Sequence, residues 1–506
     1  MNDLSSLFIR KSVESVTAEA GQTGLHRSLG LVQLVLLGIG CIVGAGVYVM
    51  TGAAAANYAG PAVILSFALA ALACALIALC YAELASVLPV AGASYTYAYT
   101  ALGEVFAWVL GWMLMFEFGL AGSALAVGFS GYLVSLLGNF GIYLPVAVTT
   151  PFLQSEMVGG SMRLVQTGGV NLVAFAALLV VAFILARGIS RSAAVNTLLV
   201  FIKVGVLVGF VLVGAGHVEP ANWTPFIPAN EGGFHYGVPG VVRAASILFF
   251  AYLGFEAVAT AASESKNPGR DVPIGILGAL GASTLLYAAV ALVMTGLVSY
   301  RELDVADPIA VAVSAIGQPV WAVIIKAGAL TGLASVLLVN TYAQSRVAFS
   351  MSNDGLLPKL FGRIHARSKT PAAGTLALAL VSGSAAALLP ISLLADLVSL
   401  GTALVFCVVA LSVTALRNTH PELPRPFKMP FGGFRIRGMW IGVTPVLALI
   451  ASLSMSAPVL IDIVVKFAHG DWAPGLIIGL YLLAGAAVYA LFGRKHSKLR
   501  RAADID

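Results

Sequence analysis

Few charged residues interrupt the apolar stretches of this sequence, so each one that does is a candidate for chemistry. Lys203 stands in FIKVGV, Glu117 in LMFEFGL and Glu256 in YLGFEAV, each surrounded by residues that belong in an apolar medium. An ammonium or carboxylate held there is costly and marks a functional position by default. Two carboxylates near one cavity favour a guanidinium or ammonium ligand through charge-assisted hydrogen bonds; the alternative for each acid is a bond to nearby backbone or a retained proton. Asn340, in LLVNTYAQ, adds a polar side chain that serves either a ligand or helix packing. The remaining chemistry is carried by backbone. GIGCIVGAGVY places Gly38, Gly40, Gly44 and Gly46 in one apolar run, and FFAYLGFEAV places Gly254 beside Glu256. Glycine costs about 1 kcal/mol relative to alanine in a helix, and lipid offers no hydrogen bonds to a broken backbone. A run broken in this way therefore belongs against a cavity. Freed amides around Ile42 to Gly46, at the start of a half-helix, can donate to a carboxylate at the positive end of its dipole. Gly40 and Gly44 also fit the GxxxG spacing of plain helix packing, which is the competing explanation.

The elements that must position these groups follow from composition. The chain has 506 residues, 59% apolar and only 10% charged, with 54 glycines, against roughly 45–50% apolar and about 25% charged in soluble domains. Residues 28–82, 118–155, 164–186 and 272–300 carry no Asp, Glu, Lys or Arg, and each stretch exceeds the ~20 residues that cross a bilayer. Disordered, fibrous, nucleic-acid-binding and disulfide-stapled classes are excluded. The formal charge of +6 reflects basic loops, not nucleic-acid affinity. The four cysteines, Cys41, Cys74, Cys80 and Cys407, lie in apolar spans as small packing residues, so neither a metal site nor a cofactor is expected. Residues 1–30 lack the apolar core of a signal peptide.

Cutting the apolar stretches at polar, Pro and Gly clusters predicts about twelve transmembrane helices: 31–56, 61–86, 101–137, 170–187, 192–214, 239–263, 273–299, 319–351, 371–389, 392–416, 440–465 and 473–493. With both termini on one side, the loops of the opposite side keep only Arg163, Arg301 and Lys466. Lys203, Arg243, Lys326 and Arg346 fall within spans, and the rest of the 28 basic residues gather on the terminal side. The positive-inside rule makes that side cytoplasmic. Glu83, near this surface with Arg346 and the KNPGRD loop, is expected to form inner-gate ion pairs. The Gly-broken spans are the first and the sixth, and such a matched pair in two halves points to an inverted-repeat transporter with its site at mid-membrane.

The stretches GIGCIVGAGVYVMTG, AGPAVILSF, YAELASVLPVAGASYTYAY, FFAYLGFEAV with SESKNPGRDVPIGI, and YAQSRVAFSMSNDGLLP occur in this order. Together they resemble the amino acid–polyamine–organocation (APC) permeases, in particular the cationic amino acid transporter branch, over nearly the whole chain. The resemblance implies an all-α integral membrane protein of the LeuT-like type. Its first five-helix repeat would span 31–214 and a second, inverted one 239–416, with helices 1 and 6 unwound, two peripheral helices over 440–493, and cytoplasmic segments at 1–30 and 494–506. It further implies alternating access in the cell membrane, with an amino acid and protons as partners and no sodium. Ile42, Gly44, Ala45 and Gly46 match the family's carboxylate-binding positions. The carbonyls of Phe250, Ala251 and Leu253 match those that accept from the ammonium, with the Phe250 ring as a lid. Lys203 resembles the fifth-span lysine that replaces a sodium ion and would carry the coupling proton; a permanently charged lysine bonded to helix-end carbonyls is the alternative. Asn340 matches a position that sets side-chain room, and Glu117 and Glu256 are the acids best placed to read a side chain. The expectation is a sodium-independent, proton-coupled permease for cationic amino acids such as arginine, lysine or ornithine. Small neutral amino acids such as alanine, or exchange, are the nearest rivals, and a membrane sensor or channel is a remote one. No HExxH, GxSxG or paired metal ligands suggest an enzyme.

Overall fold

The computed structural model describes residues 8–22, 28–90, 92–158, 161–188, 193–468 and 470–503; part of the expected N-terminal segment and the last three residues of the tail lie outside them. In lipid a helix is the simplest way to satisfy every backbone group internally, and the charge-free runs take that form. Among the described residues nine helical runs are long and apolar enough to cross a membrane: Gly46–Val87, Glu104–Asn139, Thr197–Ala215, Gly237–Glu264, Pro268–Leu297, Pro319–Asn353, Ile391–Thr419, Val443–Ala468 and Ala473–Ala502. Three shorter apolar helices accompany them, Leu31–Ile42, Leu172–Ala186 and Ala372–Leu388. The chain is an all-α membrane protein. The first of the long runs folds back on itself at Gly60, whose φ of +60° is open to glycine and which Pro61 follows, so its second leg is the straight helix Val63–Val87.

Both expected breaks are present. The helix Leu31–Ile42 ends at Val43, where ψ is 97°, and helical structure resumes in a wider π-type turn, Gly46–Met50. The helix Gly237–Leu248 tightens over Phe249–Tyr252, leaves helical geometry at Leu253 and Gly254, and restarts as Glu256–Thr260. Gly254 has φ of +118°, and a Cβ there would stand 2.6 Å from the backbone of Cys41. The two breaks therefore touch through backbone. The helices Glu104–Asn139 and Pro319–Asn353 lie along one another, and Ile391–Thr419 also packs on the former. Pro268–Leu297 covers Leu31–Ile42 and Val63–Val87, so the broken segments are enclosed by protein.

Ion pairs cluster at the two ends. At the end carrying the basic loops, Lys11 meets Asp354 at 2.7 Å and Arg500 meets Glu104 at 2.6 Å, tying both terminal segments to the bundle. At the other end Arg243, fully buried, forks onto Asp396 at 2.9 and 2.8 Å and reaches Asp462 at 3.2 Å. Two small antiparallel hairpins, Leu153–Val158 with Ser161–Gln166 and Gly433–Ile436 with Met439–Gly442, occupy loops and have no counterpart in the sequence reading.

Candidate functional site

Most of the predicted positions converge on one cavity of about 70 Å³ between the two breaks. Ile42, Gly44, Ala45 and Gly46 line it from the first helix. Phe250, Ala251, Leu253, Gly254 and Glu256 line it from the sixth, Phe118, Ala121 and Leu125 from Glu104–Asn139, and Val336, Val339, Asn340 and Ala343 from Pro319–Asn353. The glycines act by close approach. A Cβ on Gly46 would lie 2.3 Å from that of Ala251 and 2.5 Å from its Cα, so the breaks are in contact because position 46 has no side chain. A Cβ on Gly44 would face Leu125 at 3.3 Å and Val336 at 3.4 Å, at the cavity wall.

The carbonyls released by the breaks are held by donors from neighbouring helices. Tyr287 Oη donates to the carbonyls of Ile42 at 2.8 Å and Ala251 at 3.1 Å, so one buried hydroxyl bridges the two breaks. Lys203 Nζ donates to the carbonyls of Gly40 and, at 3.0 Å, Val43, while its own carbonyl accepts from Tyr48 Oη at 3.0 Å. The amine thus caps the C-terminal end of Leu31–Ile42, where the helix dipole is negative. A Cβ on Gly332 would come within 3.3 Å of Lys203 Cβ, so the stem fits closely against Pro319–Asn353. The carbonyl of Phe250 accepts from Leu253 N–H at 3.1 Å. A carbonyl has two lone pairs, so the Phe250 and Ala251 carbonyls each keep capacity for a ligand donor.

The polar side chains divide. Glu256 lines the cavity, and its Oε2 accepts from Gly254 N–H at 3.0 Å, closing the break locally. Asn340 also lines it, with Nδ2 donating back to the Val336 carbonyl at 3.3 Å. Glu117 does not. It is 1% exposed and absent from the lining, one turn before the lining residue Ala121, its Cβ 3.9 Å from where a Cβ on Gly401 would be, with Oε2 lacking a hydrogen-bond partner among the described residues. Its neighbour Phe118 lines the cavity instead, because each residue advances the helix by a large fraction of a turn.

Glu83 and Arg346 do not pair with each other. Glu83 is bound by Arg417, Nε to Oε1 at 2.6 Å and Nη2 to Oε2 at 2.5 Å, and Met429 N–H donates to Oε2 at 3.0 Å. Arg425 lies 3.8 Å away. These contacts fasten the segment after Ile391–Thr419 to the foot of Val63–Val87. Arg346 instead stacks over Tyr342 and Phe349, 4.8 and 5.9 Å from their centroids. It lines a larger cavity of about 520 Å³ at the basic end, together with residues such as Gln33, Glu264 and Thr375. Val339 lines both cavities. The role of Tyr287 and the pairing of Arg243 were not legible in the sequence: a tyrosine in LLYAAV looks like packing, and the partners of Arg243 lie 153 and 219 residues away.

A model of the family described as amino acid permease matches residues 29–466. The methylthioribose transporter of Bacillus subtilis (strain 168) is 40% identical over 499 residues, covering 98% of this chain and 100% of that protein. The branched-chain amino acid permease BcaP of the same organism is 39% identical over 98% of this chain and 99% of its own length. Cationic amino acid transporter 4, vacuolar, of Arabidopsis thaliana is 37% identical over 83% of this chain and 68% of its own.

Proposed function

We propose, from the premise that this chain belongs to the amino acid permease family, that it carries a neutral aliphatic amino acid across the membrane without sodium, by exposing the cavity between its broken helices to each side in turn. It is a multi-pass membrane transporter and not an enzyme. The observation that carries the substrate reading is the cavity itself. It is compact, about 70 Å³, and enclosed between the two breaks. Its wall beyond the breaks is Phe118, Ala121, Leu125, Val336, Val339, Asn340 and Ala343, mostly apolar, which favours an apolar side chain, and Glu117 is not among the lining residues. The full-length relatives are named for branched-chain amino acids and methylthioribose, neither of which presents a distal cation.

In this reading the substrate carboxylate takes the amides of Gly44, Ala45 and Gly46 at the start of the outer half-helix. The ammonium takes carbonyls of Phe250, Ala251 and Leu253, Phe250 covers the ligand, and Asn340 limits side-chain room. Lys203, seated on the Gly40 and Val43 carbonyls, supplies the positive charge at this junction and carries the coupling proton. The basic end is cytoplasmic by the positive-inside rule, with both termini there, in the cell membrane. The cationic reading rests on Glu256 in the cavity wall and on relatives such as the Arabidopsis transporter. Uptake into proteoliposomes separates the two. Valine, leucine or alanine should accumulate under an inward proton gradient, sodium should make no difference, and arginine should neither accumulate nor compete. Accumulation of arginine in preference to these would establish the cationic reading, and a sodium requirement would remove the role given to Lys203.

A further inference from the structure

We infer a second substrate site in the basic-end vestibule, where Arg346 takes the carboxylate and Glu264 the ammonium of an α-amino acid leaving or entering the central cavity; this rests on the amino acid reading above. The vestibule, about 520 Å³, mixes leucine and valine with hydroxyl and amide side chains, and its charged lining residues are Arg346 and Glu264. Neither has an ion-pair partner among the described residues. Arg346 is half-buried, its guanidinium 4.8 and 5.9 Å from the ring centroids of Tyr342 and Phe349, and its Nε is buried without a hydrogen-bond acceptor among the described residues. A guanidinium fixed on aromatic faces keeps its planar fork for a carboxylate, the geometry arginine recognises best. Glu264 belongs to the turn that closes the inner half of the broken sixth helix. Its backbone carbonyl is anchored by Leu29 N–H at 3.0 Å, so the side chain is carried by a fixed stretch of chain. A zwitterion presents one group of each sign and matches such a pair of opposite charges, whereas a simple anion or cation would leave one of them unanswered.

Continuity along one helix links the two sites. Val339 is shared, Asn340 and Ala343 face the central cavity, and Tyr342, Ser345 and Arg346 face the vestibule. From Asn340 to Arg346 is nearly two helical turns, about 9 Å, along the same wall. Both groups lie at the basic end, so the site serves the cytoplasmic side of the cycle and should leave its mark on only one face.

Transport measured in right-side-out and inside-out membrane vesicles tests this, with valine and its amide as probes. Arg346→Gln should raise the ratio of cytoplasmic to external KM for valine by roughly tenfold to a hundredfold, the range for a lost charge-assisted contact. It should also shrink the preference for valine over its amide, which keeps the ammonium but offers the guanidinium no carboxylate, on the cytoplasmic face alone. Glu264→Gln should raise the same ratio, so the proposal survives poor folding of either variant. An unchanged ratio in both variants overturns the second site while leaving the permease reading intact. Equal rises on both faces overturn it in favour of a gate contact. If the unmodified protein transports no amino acid at all, both readings fall together.

Discussion

Lys203 and Glu117 are the two membrane-buried charges whose surroundings differ most, and the difference decides what each can do. Lys203 Nζ sits on two carbonyls exposed by the break in the first helix, so loss of its proton would be felt directly where the substrate carboxylate is proposed to bind. Lys203→Met keeps the length of the stem and removes the charge. Proton-driven accumulation should be abolished while equilibrium binding of substrate stays measurable; continued accumulation would show that the proton is carried elsewhere. Glu117 is buried next to Gly401 and is not among the residues that line the cavity. Glu117→Gln should therefore shift the affinities for alanine, valine and leucine by a common factor, within about threefold of one another, and arginine should still fail to compete. A change in which amino acids compete, arginine included, would return this carboxylate to the cavity. The sequence marks both residues as unusual, since a charge in an apolar run is visible in any reading. It cannot show that Glu117 stays out of the cavity lining, because Glu104–Asn139 is apolar on nearly every side and no polar stripe fixes its rotation.

At the scale of the helices, the breaks in the first and sixth spans were legible because glycine is the residue that permits them. The structure assigns the individual glycines different tasks. Position 46 is a contact between backbones and position 44 is a cavity wall. Gly46→Ala forces a methyl group into Ala251 and should cost about 1–3 kcal/mol of stability as an overpacked site, seen as a lower midpoint in thermal unfolding monitored in detergent. Gly44→Ala meets its neighbours at 3.3–3.4 Å and should fold with little change. Gly44→Val adds two methyls at the wall and should remove binding of every substrate regardless of side chain; normal binding by a folded Gly44→Val protein would mean that the first break serves packing. The Tyr287 bridge that holds the breaks together could not be foreseen, since nothing in a tyrosine's neighbours along the chain reveals which distant carbonyls its hydroxyl reaches. The loop hairpins escaped for a related reason: the spans were read from apolar runs, and short paired segments in polar loops leave no such run.

Over the whole molecule the two ends differ in how they are closed. At the basic end a large vestibule shares the wall residue Val339 with the central cavity, while the opposite end is tied by Arg243 across three helices. Arg243 comes from the outer half of the broken sixth helix, Asp396 from Ile391–Thr419 and Asp462 from Val443–Ala468, where Lys466 also holds Asp462 at 2.9 Å. The Tyr58 ring, 5.2 Å from the guanidinium, extends the cluster to the first span. Motion of the sixth helix on that side must either carry these helices along or break a charge cluster centred on the fully buried Arg243, with Asp462 and Lys466 partly exposed. Removing one partner of such a cluster leaves an uncompensated charge and costs about 3–5 kcal/mol, whereas replacing a pair by apolar residues of similar size is often neutral. Arg243→Met should accordingly lower the thermal midpoint sharply. Arg243→Met combined with Asp396→Leu should recover most of the loss, because Asp462 keeps Lys466 and no carboxylate is then left without a cation. If the double variant is no more stable than the single one, the cluster is held by its fit to Tyr58 and the surrounding packing, and the charges are not what closes this end.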